Sequence, residues 1–186
     1  VMRFPNGYGV SVLWGKGSLS DKRHPFEIAT ILFNDNGGYV VVYPTSTPDS
    51  KGEIGWNSGL GDSDKDDVGF ICALVNYLQK EYNCDKNRTF AVGFSNGAFM
   101  TQRLAVDASD TFTAIAGVAG MMPEKTWNSR KETTDIGVLE IYGTKDDVVP
   151  MKLNGSDQTS NAPAIEDVMS YWAKANNLSK SSLLKF

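Results

Sequence analysis

Thr89-Phe90-Ala91-Val92-Gly93-Phe94-Ser95-Asn96-Gly97-Ala98-Phe99-Met100 is the stretch on which the fold turns. Its first six residues read as a strand that runs straight into Ser95. After the serine, Phe99, Met100 and Leu104 recur at helical spacing, which predicts a helix to about Val106 with those residues inward. Glycines two places either side of Ser95 suit a sharp strand-to-helix turn, where side chains would clash as the two elements cross. Such a turn exposes the hydroxyl and aims the positive end of the new helix at it. It also places the Asn96 N–H to stabilise an oxyanion. The strand before and the amphipathic helix after make Ser95 a candidate nucleophile.

Outward from this turn the pattern keeps alternating. Upstream, Tyr39-Val40-Val41-Val42-Tyr43 is a short apolar run ended by Pro44, which suits a buried strand. Thr45 to Asp66 is Gly- and Asp-rich, has no period, and reads as a long ordered loop containing Gly55-Trp56-Asn57-Ser58-Gly59. From Asp66 the apolar positions Val68, Ile71, Cys72, Val75 and Leu78 form one helical stripe. Asp66 and Asp67 lie where acidic groups favour the helix dipole. Asn83 to Asn87 reads as a turn. Downstream, Phe112 to Val118 and Gly137 to Tyr142 read as strands. A last helix covers about Ala164 to Asn176, with Ile165, Val168, Met169 and Trp172 on one face. Strands alternating with helices predict a single α/β domain over residues 1–186, a mostly parallel sheet covered by helices.

Composition sets bounds. The 186 residues suffice for one core, and 41% apolar and 22% charged residues are ordinary for a globular chain. A net charge of −4 argues against a phosphate-tracking surface, so no nucleic-acid partner is expected. No apolar run is long enough to span a bilayer, so no membrane partner is expected either. Cys72 and Cys84 have no metal-ligand spacing around them and read as free thiols, one disulfide being the alternative. No metal or organic cofactor is implied, because His, Cys and carboxylates do not cluster.

A second chemical element is Gly143-Thr144-Lys145-Asp146-Asp147, a loop at the end of a later strand. An acid that orients an imidazole must lie on a loop at the carboxyl edge of the sheet. Asp146 has that position, and Asp147 is its immediate competitor.

With these residues in view, the chain resembles the polyhydroxybutyrate depolymerase and feruloyl esterase family of α/β hydrolases. The resemblance runs through Val41-Val42-Tyr43-Pro44, Gly55-Trp56-Asn57-Ser58-Gly59, Asp66-Asp67-Val68-Gly69-Phe70 and Gly93-Phe94-Ser95-Asn96-Gly97. It continues in Ala116-Gly117-Val118-Ala119-Gly120-Met121-Met122-Pro123 and Gly143-Thr144-Lys145-Asp146-Asp147-Val148-Val149-Pro150. It covers roughly Gly38 to Leu178. It implies Ser95 as nucleophile and Asp146 as the acid, in the pattern Gly-Thr-x-Asp. The implied activity is hydrolysis of feruloyl, acetyl or hydroxyalkanoate esters or of polyesters, by a chain expected to be secreted. Trp56 is a candidate to line the substrate cleft, whereas Met121 and Met122 read better as core.

Two departures stand beside the resemblance. Family members carry a His-Gly pair after the first core strand, and the following amide helps form the oxyanion hole. If Val10-Ser11-Val12-Leu13 is that strand, Trp14 replaces the His and the Lys16 amide is the candidate second donor. Phe4 to Ser18 also reads as a free β-hairpin, so the first 38 residues are atypical. The family's histidine lies beyond the helix ending near Asn177, and the sequence stops at Phe186, as in a truncated hydrolase. The chain holds one histidine, His24, upstream of the serine. It is the candidate base, its alternative being a surface residue in the charged run Asp21-Lys22-Arg23. A serine without a base is a weak nucleophile, so the competing expectation is a catalytically incomplete hydrolase. An open sheet edge makes a homodimer a further expectation.

Overall fold

The structure is a computed structural model that describes residues 2–3, 9–14, 28–34, 37–52, 54–61, 63–151 and 162–179. The strands are β1 (Met2–Arg3), β2 (Gly9–Trp14), β3 (Ile28–Asn34), β4 (Tyr39–Thr45), β5 (Cys84–Phe94), β6 (Ala114–Val118) and β7 (Gly137–Ile141). The helices are α1 (Asp67–Glu81), α2 (Asn96–Asp107), α3 (Glu124–Ser129) and α4 (Ile165–Ala175). One sheet has the order β1-β2-β4-β3-β5-β6-β7.

The α/β class holds, but the parallel character is confined to β5, β6 and β7. The other four pairings, from β1–β2 to β3–β5, are antiparallel. For β3 and β4 the reason is a short turn. Asn34 and Gly38 close β3 onto β4: the Asn34 N–H donates to the Gly38 carbonyl at 2.9 Å, and Asn34 Oδ1 accepts from the Gly38 N–H at 2.7 Å. A link of that length makes a hairpin, whereas parallel neighbours need a crossover of a dozen residues or more. Most of the free hairpin read over Phe4 to Ser18 lies outside the described residues. The described part, β2, is not free, because all six of its residues pair with β4, and β1, which precedes that stretch, pairs with β2.

Alternation along the strands sorts the sheet into two faces. Ile28, Thr30, Leu32, Val40, Val42, Ala91 and Ile115 are buried. All but Thr30 join Ile71, Leu78, Leu104, Val168 and Trp172 from α1, α2 and α4 in one core. On the other face Ile31, Val41, Phe90 and Val92 are half-buried, and Phe94, Leu139 and Ile141 are more than half exposed. The predicted helices appear within two residues of their expected bounds. α1 is capped by Asp66, whose Oδ1 accepts from the Gly69 N–H at 2.9 Å. Cys72 and Cys84 are free thiols, so the disulfide alternative falls; burial raises both thiol pKa values.

Candidate active site

Ser95 joins β5 to α2 with φ 51° and ψ −119°, a conformation rare for a residue with a Cβ. What holds it is backbone. The Ser95 N–H donates to the Val118 carbonyl at 2.9 Å, at the end of β6, and the Ser95 carbonyl accepts from Ala98 and Phe99 in the first turn of α2. Gly93 makes the turn feasible, since a Cβ there would stand 2.1 Å from the Gly97 carbonyl oxygen. α2 starts at Asn96 with no side-chain cap. Its first N–H groups therefore point at the turn without a side-chain partner, as an oxyanion site requires.

The register brings the acid to the same edge. Phe94, Val118 and Ile141 are the paired final residues of β5, β6 and β7. Ser95 and the Gly143–Asp147 loop therefore leave adjacent ends of the parallel strands. A small apolar cluster of Phe99, Met121 and Val149 binds these loops together, with Leu60 and Tyr142 packed on it. Asp146 turns back on its own loop, where Oδ1 accepts from the N–H groups of Val148 and Val149, both at 2.9 Å. Those bonds hold the carboxylate through Oδ1. Asp147 is exposed, while Asp146 is half-buried.

The Gly55–Gly59 loop is clamped against the turn. Asn96 Oδ1 accepts from the Trp56 N–H at 2.7 Å, and Asn96 Nδ2 donates to the Trp56 carbonyl at 3.3 Å and to Ser58 Oγ at 3.1 Å. Arg103 of α2 donates to the Asn57 carbonyl. Below, fully buried Asp67 accepts from the Asn57 N–H at 2.6 Å, with Lys65 Nζ 3.7 Å away. Lys65 also donates to the carbonyls of Thr47 (2.6 Å) and Gly55. Trp56, expected at the cleft, has its side chain in the core at 6% exposure, because the loop turns the indole inward and offers Asn96 its backbone. Met121 and Met122 are fully buried.

Sequence reasoning missed Asp67, Lys65 and Arg103 as parts of this site. Asp67 reads locally as a helix-dipole residue, and nothing in its spacing shows that its partners lie in the preceding loop. His24 and Lys16 lie outside the described residues. Trp14, two places before Lys16, pairs with Val40 at the sheet edge opposite Ser95, while Gly9 pairs with Thr45 at the Ser95 edge.

The fold has a solved counterpart. A carboxylesterase of Bacillus cereus superposes with a TM-score of 0.50 at 18% identity, covering 76% of this chain and 74% of that one. Among sequences, "Putative esterase NocK" of Nocardia uniformis subsp. tsuyamanensis is 39% identical over 98 residues, 53% of this chain and 27% of the relative. A bifunctional acetylxylan esterase/xylanase of Neocallimastix patriciarum is 27% identical over 115 residues, 62% of this chain and 16% of the relative. Feruloyl esterase B of Thermothelomyces thermophilus is 33% identical over 91 residues, 48% of this chain and 31% of the relative. The chain thus spans less than a third of the length of each of these relatives. The model of the phospholipase/carboxylesterase family matches residues 63–170, more than half of the chain and the part that holds the Ser95 turn and the Asp146 loop. The chain belongs to the phospholipase/carboxylesterase family of α/β hydrolases.

Proposed function

We propose that this chain hydrolyses carboxylic esters with Ser95 as nucleophile, Asp146 as the orienting acid and the Asn96 N–H as an oxyanion donor. The observation that carries the reading is the strained Ser95 turn at the uncapped start of α2, on the same sheet edge as Asp146. The hydroxyl adds to the ester carbonyl, the alcohol leaves, and water then releases the acid from the acyl-serine. The relatives' names extend the proposal to feruloyl and acetyl esters. Hydroxyalkanoate esters and polyesters rest on the motif resemblance.

The base is proposed as His24. It precedes Ile28 by four positions, and Ile28 pairs with Gly93, two residues before Ser95. Four residues reach at most about 14 Å, enough to bring an imidazole to the serine. A specific observation favours a second reading: His24 is the chain's single histidine and precedes the serine, the reverse of the usual order in this fold. In that reading the chain keeps the turn and lacks turnover.

Initial rates on p-nitrophenyl acetate and p-nitrophenyl butyrate separate the two. The esterase reading expects turnover well above buffer that falls to background in Ser95→Ala, with a comparable loss in His24→Ala. Loss of serine or histidine costs about a million-fold in subtilisin. A rate that ignores Ser95→Ala favours the incomplete hydrolase. Exposed Leu139 and Ile141 on β7, the edge strand of the described sheet, support the further proposal that two copies associate there. Sedimentation at a single monomeric mass up to high concentration refutes it.

A further inference from the structure

Glu140 is out of place by composition. It stands on the helix-covered face of β7, opposite Gly117 of β6, two pairs along from Val138 and Ile115. Burial pushes its pKa up to about 8, so the carboxyl is neutral at pH 7. The groups that face it are Gln102 from α2, Gly117 from β6 and Tyr142 from just beyond β7. Through Gln102 it meets Trp172 of α4. None is a cation. Tyr142 is the titratable one among them, and burial beside Glu140 raises its pKa as well.

The proton can be placed by following the hydrogen bonds. An indole N–H only donates. Trp172 Nε1 donates to Gln102 Oε1 at 2.9 Å, which turns Gln102 Nε2 toward Glu140, where it donates to Oε1. With Oε1 an acceptor, the acid proton belongs on Oε2. Oε2 and the Tyr142 hydroxyl are both buried without an aligned partner, and the two groups are neighbours. An O–H on Oε2 turned to the tyrosine oxygen satisfies both, whereas a carboxylate would leave a buried charge facing two neutral groups. Space at Oε2 exists because residue 117 is glycine; a Cβ there would lie 2.4 Å from that oxygen.

We propose that Glu140 is a positioning residue: with Gln102 and Trp172 it locks helix α2, which begins at Ser95, against strand β7, which leads into the Asp146 loop. Gln102 lies two turns into α2 and Glu140 six residues before Asp146. The tie therefore crosses β6 beneath both ends of the site, and α4 closes it from outside. Its role in catalysis rests on the esterase reading above, but the tie itself does not.

Ionisation is the way to open it. The folded pKa of Glu140 lies above the ordinary value of 4.5. Its stabilising contribution is therefore complete below pH about 4.5 and drains away as pH rises to about 8. Glu140→Gln mimics the neutral acid, its oxygen accepting from Gln102 and its amide donating to Tyr142. Melting temperature from pH 5 to 9 and ester rate from pH 6.5 to 9 should be measured for wild type, Glu140→Gln and Glu140→Leu.

The expected result is a wild-type Tm that falls relative to Glu140→Gln by about 5 °C or more between pH 5 and 8. The Glu140→Gln rate should match wild type within about twofold at pH 6.5 and exceed it by about threefold or more at pH 9, while Glu140→Leu loses about tenfold throughout. Parallel Tm curves for wild type and Glu140→Gln overturn the tie, whatever the assay shows. An inert wild type with diverging Tm curves overturns the esterase reading and leaves the tie standing.

Discussion

Strands β5 to β7 and strands β1 to β4 share one sheet but are joined in different ways, and the chemistry follows the joining. In the parallel part every strand end is followed by a loop on one common edge, and the connection returns through or beside a helix. Ser95 and Asp146 share that edge for this reason, and the N–H groups of α2 open toward it. In the antiparallel part, the ends of neighbouring strands alternate between edges. β4 ends at the Ser95 edge, while β3 ends at Asn34 and β2 at Trp14, both on the far one. Chain direction in the sheet, more than residue type, decides which loops meet at the site.

If this contrast is right, the most damaging change lies in the parallel part. Gly93→Ala forces a Cβ against the Gly97 carbonyl, with backbone on both sides and no rotamer to relieve it. A loss of about 3 kcal/mol or more is expected, read as a drop in the urea midpoint. Next comes the clamp under the Gly55–Gly59 loop. Asp67→Ala strands Lys65 and the Asn57 N–H, at a cost of about 3 kcal/mol. It should also loosen amide-exchange protection at Trp56 before it affects β6. The smallest effect belongs to the antiparallel part, where Asn34→Ala removes the bond to the Gly38 N–H and costs about 1 kcal/mol. An Asn34→Ala loss equal to that of Gly93→Ala would erase the contrast.

The same division governs what the sequence discloses. β5, α2, β6, β7 and α4 are legible because each pairs a short apolar run or a clear helical stripe with the turn residues that end it. The Ser95 turn is legible because its glycines answer a local steric demand. β3 escapes because Ile28–Asn34 is bounded by no Gly or Pro at its start, and its pairing with β5 is a tertiary fact. Asn83 to Asn87 reads as a turn by composition, yet β5 begins at Cys84, which pairs with Asn34. α3 has six residues, too few to show a period. In the site, Asp67 and Glu140 are silent in sequence for one shared reason. A buried carboxyl is defined by partners elsewhere in the chain, in the loop at Asn57 and Lys65 for one and on α2 and α4 for the other.

The central claim is that Ser95 is a nucleophile, and labelling tests it without a choice of ester. The chain should be treated with a fluorophosphonate, digested, and analysed by mass spectrometry. The account predicts one phosphonyl group per chain on the peptide that contains Ser95, and no adduct in Ser95→Ala. A chain that stays unlabelled, or an adduct that persists in Ser95→Ala, contradicts it.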